Sequence, residues 1–254
     1  MKARKILVSV AALALVAALS IAGTLAYLTD KGTVTNTFTV GNIGITLDEA
    51  LVNDEGKAVK KNTDNTLTPV DKLEEATRVA GNSYHLLPGH SYTKDPTVTV
   101  AAKSEEAYLR ILVTVDDMTK LTSAFPQDKN AGYYNNGVIL LEKLVDWDSS
   151  NTVWEFHSYT AGTGTDKSGT YEFRYKANGK DTYTNATANA VALQPLFTKV
   201  IVPDGVDNDQ LSALNNVQIT IVAEAIQASG FEASTTQSAA DVAWAAFDAQ
   251  YNKT

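Results

Sequence analysis

The chain has no cysteine. Disulfides, thiol catalysis and thiolate metal sites are therefore excluded, and the fold must rely on its core. If a chain without disulfides is exported, the outside of a Gram-positive-like bacterium suits it better than an oxidising secretory pathway. Histidine is scarce: His85, His90 and His157 are the whole set. His-Glu-x-x-His is absent, and so is the Gly-x-Ser-x-Gly elbow of serine hydrolases. His85 and His90 are five apart across Pro88-Gly89, which is not ligand spacing on a helix. They read as solvated loop residues. Positive charge is also in deficit, with 21 Lys and Arg against 29 Asp and Glu, a net charge of −8. That balance argues against nucleic acid and against an anionic membrane surface as partners.

Long hydrophobic runs are missing too, except for one at the start. Lys2, Arg4 and Lys5 precede an apolar run from Ile6 to Ala22, followed by Gly23-Thr24-Leu25-Ala26. A basic tip, an apolar stretch and a small-x-small exit make a secretory signal peptide. We expect residues 1–26 to be that signal, with cleavage between Ala26 and Tyr27. The run is short for a membrane span and rich in alanine, so retention as an anchor is the weaker reading. Residues 1–26 carry three basic charges and no acid, so their removal takes the net charge from −8 to −11. Residues 27–254 then form a single domain that is secreted, to the extracellular matrix or the cell surface, with no membrane partner after cleavage. No GPI-type anchor is expected.

What the remaining chain does have is alternation. In 33–40, Val34, Asn36, Phe38 and Val40 share one phase and four threonines the other. After Gly41-Asn42 the apolar phase moves to Ile43, Ile45 and Leu47, which predicts a bulge or bend between two strand pieces. Residues 48–82 are polar and read as a long mobile loop, with a turn at 53–57 and a short exposed helix within 69–78. Pro88-Gly89 sets a turn, and Val98 and Val100 begin a strand. Residues 107–116 form a core strand, with Leu109, Ile111, Val113 and Val115 on its apolar face and Tyr108, Arg110, Leu112 and Thr114 on the other. A short helix is expected over 118–125. Val138–Leu144 fits strand or helix equally.

Residues 152–159 and 170–176 read as a hairpin whose alternate aromatics pack across the strands. Residues 178–190 read as a polar loop, and 191–203 as containing one strand that ends at Pro203. Asp207 suits a helix cap. Residues 216–226 are a last core strand, and 238–250 a C-terminal helix docked on the sheets. Regular strands, few helices and no βαβ rhythm give an all-β fold, an antiparallel, jelly-roll-like β-sandwich. Two oxygen-rich turns are weak calcium candidates, through Asp146 and Asp148 in one and Asp204, Asp207 and Asp209 in the other. Asp and Asn are ordinary turn residues, so the expectation is no metal and no cofactor.

Several motifs resemble one family. They are Ala26-Tyr27-Leu28-Thr29-Asp30, then Asn36-Thr37-Phe38-Thr39-Val40-Gly41-Asn42-Ile43, Leu87-Pro88-Gly89, Lys94-Asp95-Pro96 and Tyr108-Leu109-Arg110-Ile111. The closing Ala225-Ile226-Gln227-Ala228-Ser229-Gly230-Phe231 and Trp244-Ala245-Ala246-Phe247 complete the set. Together they resemble the TasA/camelysin proteins, exported in Gram-positive bacteria by SipW-type signal peptidases. Residues 117–200 carry little of the resemblance. It implies a secreted jelly roll, processed by such a peptidase. Some members build biofilm matrix fibres in which the N-terminal strand of one subunit completes the sheet of the next. Others, the camelysins, are described as metalloproteases.

The sequence suits the fibre role. Thr33–Val40 is free of charge and proline, as a donated strand should be. Its partner would be another copy or a related matrix subunit. The assembly residues on this reading are Val34, Asn36, Phe38 and Val40. The plainer reading makes 33–47 the first strands of the protein's own sandwich. The runner-up functions are a camelysin-like protease and a monomeric surface adhesin presenting loops 48–82 and 126–136.

Overall fold

The computed structural model describes residues 42–125, 134–135, 138–139, 144–147 and 150–251. They form an antiparallel β-sandwich, as expected. One sheet joins β1 (Ile45–Ala50), β4 (Arg78–Val79), β6 (Thr97–Val100) and β13 (Val191–Ala192) in the order β13-β6-β1-β4. The other is built on β7 (Ser104–Val115), the longest strand. On one side β7 pairs with β11 (Gly169–Tyr175) and β12 (Thr182–Asn185), and β10 (Trp154–Ala161) lies beyond β11. On the other it pairs with β15 (Ile219–Gln227). Two-stranded pairs complete the set: β2 (Val59–Lys61) with β3 (Leu67–Pro69), β5 (Ser91–Thr93) with β14 (Lys199–Ile201), and β8 (Tyr134–Asn135) with β9 (Val138–Ile139).

The core follows from the alternation in β7. Leu109, Ile111, Val113 and Val115 are buried among Val98 and Val100 of β6 and Tyr171, Phe173 and Tyr175 of β11. Each buried side chain of this size contributes about 1.5–3 kcal/mol of transfer free energy. The aromatic ladder is cross-strand packing: Trp154 faces Tyr175, Phe156 faces Phe173 and Tyr159 faces Tyr171.

Three helices close the ends. Helix α1 (Met118–Ala124) is capped by the Asp117 carboxylate, which accepts from the Thr119 and Lys120 amides. Asp207 and Gln210 form a capping box on α2 (Asn208–Ser212). In α3 (Ala239–Tyr251), the Ser238 hydroxyl accepts from the Asp241 amide at 3.1 Å and donates to its carboxylate at 2.7 Å. No helix among the described residues is long and apolar enough to cross a membrane.

Three expectations need correction. Residues 48–82 are not an irregular loop. They finish β1 and carry β2, β3, a 3-10 turn at Leu73–Glu75 in place of the expected helix, and β4. Ala50, Ala58 and Ala76 pack into a small core of their own with Val70 and Leu73. The predicted turn at 53–57 is present, and Gly56 supplies its positive φ of 73°. A Cβ there would lie 2.2 Å from the Tyr92 ring, so the turn seats on that tyrosine only because residue 56 has none. Residues 178–190 contain β12, closed by Asn185. The Asn185 amide, buried, donates to the carbonyls of Val100, Ala101 and Asn189. The strand expected within 191–203 is two, β13 and β14, belonging to different sheets.

Candidate functional site

Among the described residues, the sandwich is open along β15. Directly paired residues of adjacent strands point to the same face. Val115 pairs with Ile219, Val113 with Ile221, Ile111 with Ala223 and Leu109 with Ala225. The four β7 residues are buried. None of their four β15 partners is, and Ile219 is 42% exposed. So the core ends at β15 although that strand is paired along its whole length. Across the opening lies β1, whose Ile45–Asp48 pair, among the described residues, with β6 alone. Its Ile45 and Leu47, with the preceding Ile43, are likewise only half-buried. The two strands converge at one end: the Glu105 amide donates to the Asn42 carbonyl and the Ala228 amide to the Glu106 carbonyl. Toward Ile219 the apolar lining is most exposed.

The other edge of the β7 sheet is β10, and it is built differently. Its pairing register shifts between Phe156 and Ser158, and Glu155 and Lys176 form an ion pair beside it at 3.1 Å. A bulge and flanking charges discourage strand addition. β15 has neither. Its pairing with β7 is unbroken over nine residues, and its one charge, Glu224, is already engaged.

That engagement is a buried cluster beneath α3. Arg110, on the face of β7 opposite the main core, is buried. Its Nε donates to Glu224 Oε2 at 2.6 Å and its Nη1 to Asp248 Oδ2 at 3.2 Å, and Nη2 also bonds Asp248. The guanidinium lies 4.3 Å from the Trp244 ring centroid and 5.4 Å from that of Phe247. Arg174 of β11 bridges Glu172 and Asp241. Burial opposes the charge on Arg110, but the bonds to Asp248 and Glu224 outweigh it and raise its pKa. Sequence alternation alone leaves this cluster unseen, because it places Arg110 on the face opposite the core and says nothing of what covers that face. The usable signal was Trp244 and Phe247 three apart, with Asp248 beside them: a cation-binding face on a helix.

The expected site residues divide. Ala26, Tyr27, Val34, Asn36, Phe38, Val40 and Asp148 lie outside the described residues. Asp146 accepts from the Thr198 and Lys199 amides and from the Thr198 hydroxyl, so it ties a turn to β14. Asp207 is spent on its capping box. Asp209 sits in the first turn of α2, and Asp204 packs against Gly89 of the Pro-Gly turn. His90 places Nδ1 at 2.8 Å from the Pro88 carbonyl. Among the described residues no group of three His, Cys, Asp or Glu could hold a metal ion. The family motifs fare better as structure. Lys94 pairs with Glu49 at 2.6 Å, and Asp95 is buried, accepting from Arg78 and from the Ala50 amide.

Residues 2–66 match the family model of the camelysin metallo-endopeptidases. Over this segment alone, the match is consistent with the TasA/camelysin resemblance. The camelysin match covers β1, the 53–57 turn and β2, and the strands from β3 onward lie beyond it. No curated protein and no solved structure matches the chain.

Proposed function

We propose that this TasA/camelysin-like protein is a secreted structural subunit of an extracellular, biofilm-type matrix fibre. Removal of the signal after Ala26 frees Tyr27–Val40. That strand then adds to the open β15 edge of the next copy or of a related matrix subunit. The observation that carries the reading is the half-exposed apolar row of β15 opposite a buried row on β7. A donated strand supplies backbone hydrogen bonds to the edge, and its alternate side chains cover the row. Val34, Phe38 and Val40 are the covering residues on this reading. A head-to-tail contact of this kind does not close on itself and so extends into a filament.

The test is electron microscopy of protein beginning at Tyr27 beside protein beginning at Asn42. Fibres from the longer form alone are expected. Fibres from both would end the strand-donation mechanism, and fibres from neither would end self-assembly of this chain by itself. The family description favours a second reading, a cell-surface metalloprotease. Chelator-sensitive cleavage of casein by the purified protein would establish it.

A further inference from the structure

At the β10 edge, Trp147, Asn151, Trp154, Glu155, Phe156 and Lys176 line an open slot of about 260 Å³. Two aromatic rings form its walls. Trp147 and Phe156 lie 6.4 Å apart with their planes at 59°. Both are fixed from behind. The Trp147 indole N–H donates to the Trp154 carbonyl at 3.2 Å, and Phe173, fully buried, meets Trp147 at 5.1 Å and Phe156 at 5.7 Å. Phe156 is 42% exposed, which is unusual for a residue paired with the buried Phe173. The bulge between Phe156 and Ser158 is the local cause of its altered setting. At the rim, Glu155 offers acceptors and Lys176 donors, joined as one neutral ion pair.

We propose that this slot binds uncharged hexose units of a polysaccharide. A pyranose ring presents a face of C–H groups with slight positive character, which suits the negative face of an aromatic ring. Its rim of hydroxyls both donates and accepts, matching Lys176 and Glu155 together. A few polar groups around apolar walls is the usual make-up of a small-ligand site. Two alternatives fit less well. A polyanionic glycan would meet a chain of net charge −8. A peptide adding as a strand would meet the bulge, which breaks the edge it needs. The proposal does not rest on the fibre reading, because it uses the opposite edge of the sheet.

The test is tryptophan fluorescence of the full chain titrated with cellohexaose, maltohexaose and the chitin hexamer, with polygalacturonate as the charged comparison. At least one uncharged hexamer should give a saturable shift. Phe156→Ala should weaken that binding about tenfold, as loss of a stacking ring would, while thermal unfolding stays close to that of the native protein. Trp147→Ala should abolish the binding, and Phe156→Ala carries the test if Trp147→Ala does not fold. No saturable response to any uncharged hexamer overturns the proposal. So does a response to polygalacturonate alone, or equal affinity in Phe156→Ala and native protein.

Discussion

Val115 and Ile219 sit directly opposite one another on β7 and β15 and point to the same face, yet Val115 is 1% exposed and Ile219 42%. The boundary of the core runs between them. Substitutions on its two sides should therefore behave differently. Ile111→Ala, one row inside, should cost about 2–5 kcal/mol in denaturant unfolding. Ile219→Ala should cost less than about 1 kcal/mol, since half of its surface is already wet. Ile219→Asp should leave a folded monomer and suppress fibres, because a donated strand would bury the new carboxylate without a partner. Comparable unfolding losses for Ile111→Ala and Ile219→Ala would show that β15 is enclosed after all.

Arg110 should be the fastening of α3. Arg110→Ala removes the bonds to Glu224 and Asp248 and the contact with Trp244. The expected loss is about 3 kcal/mol, the low end for breaking a buried pair, because Asp248 stays partly hydrated. Arg110→Lys should recover little of it, since one ammonium cannot reproduce the planar fork. Hydrogen exchange localises the effect: residues 239–251 should lose protection while β7 and β11 keep theirs.

Asp241 gives the C-terminal helix an acid-sensitive element. Hydrogen bonds from Ser238, then from Arg174, hold its carboxyl down at about 2 against an ordinary 3.8. A depressed folded-state value means stability that is present above the ordinary pKa and lost as pH falls through the folded one. The window is therefore roughly pH 4 to 2. The side chain is 35% exposed, so solvent screening limits its share to below about 1 kcal/mol. Urea unfolding of Asp241→Asn and native protein should differ at pH 5 and converge near pH 2. A constant gap across that range would rule the linkage out.

Gly56→Ala should destabilise the 48–82 region. The residue has φ of 73°, and the new methyl would fall 2.2 Å from the Tyr92 ring. Left-handed backbone costs a side chain about 1–2 kcal/mol before any clash. Limited proteolysis should then cut within 53–61 faster than in native protein. An unchanged digestion pattern would mean that the turn does not depend on its contact with Tyr92.

The sequence reveals best what is long and periodic. β7, β15 and the β10–β11 hairpin alternate over seven or more residues, and each overlaps its expected span, with ends that differ by up to three residues. β2, β3, β4 and β13 are two or three residues long, too short for a period to register. They are held instead by distant partners, such as Arg78 between Asp48 and Asp95. The cover over the Arg110 face of β7 escapes the sequence for a different reason. Alternation distinguishes two faces of a strand but says nothing of a helix arriving 130 residues later to cover one of them. The open seam was beyond sequence altogether, because Ile219 and Val115 look alike in a list of apolar residues and differ only in what lies over them.

The unbroken nine-residue ladder between β15 and β7 also has a mechanical meaning. Tension drawn along the axis of β15 loads its bonds to β7 in shear, so that they resist together. A pull from one end across the sheet would open them singly. Because β7 is also paired with β11 and β12, the load passes on into the centre of the sheet. A strand attached alongside β15 would hang from the most deeply rooted part of the protein.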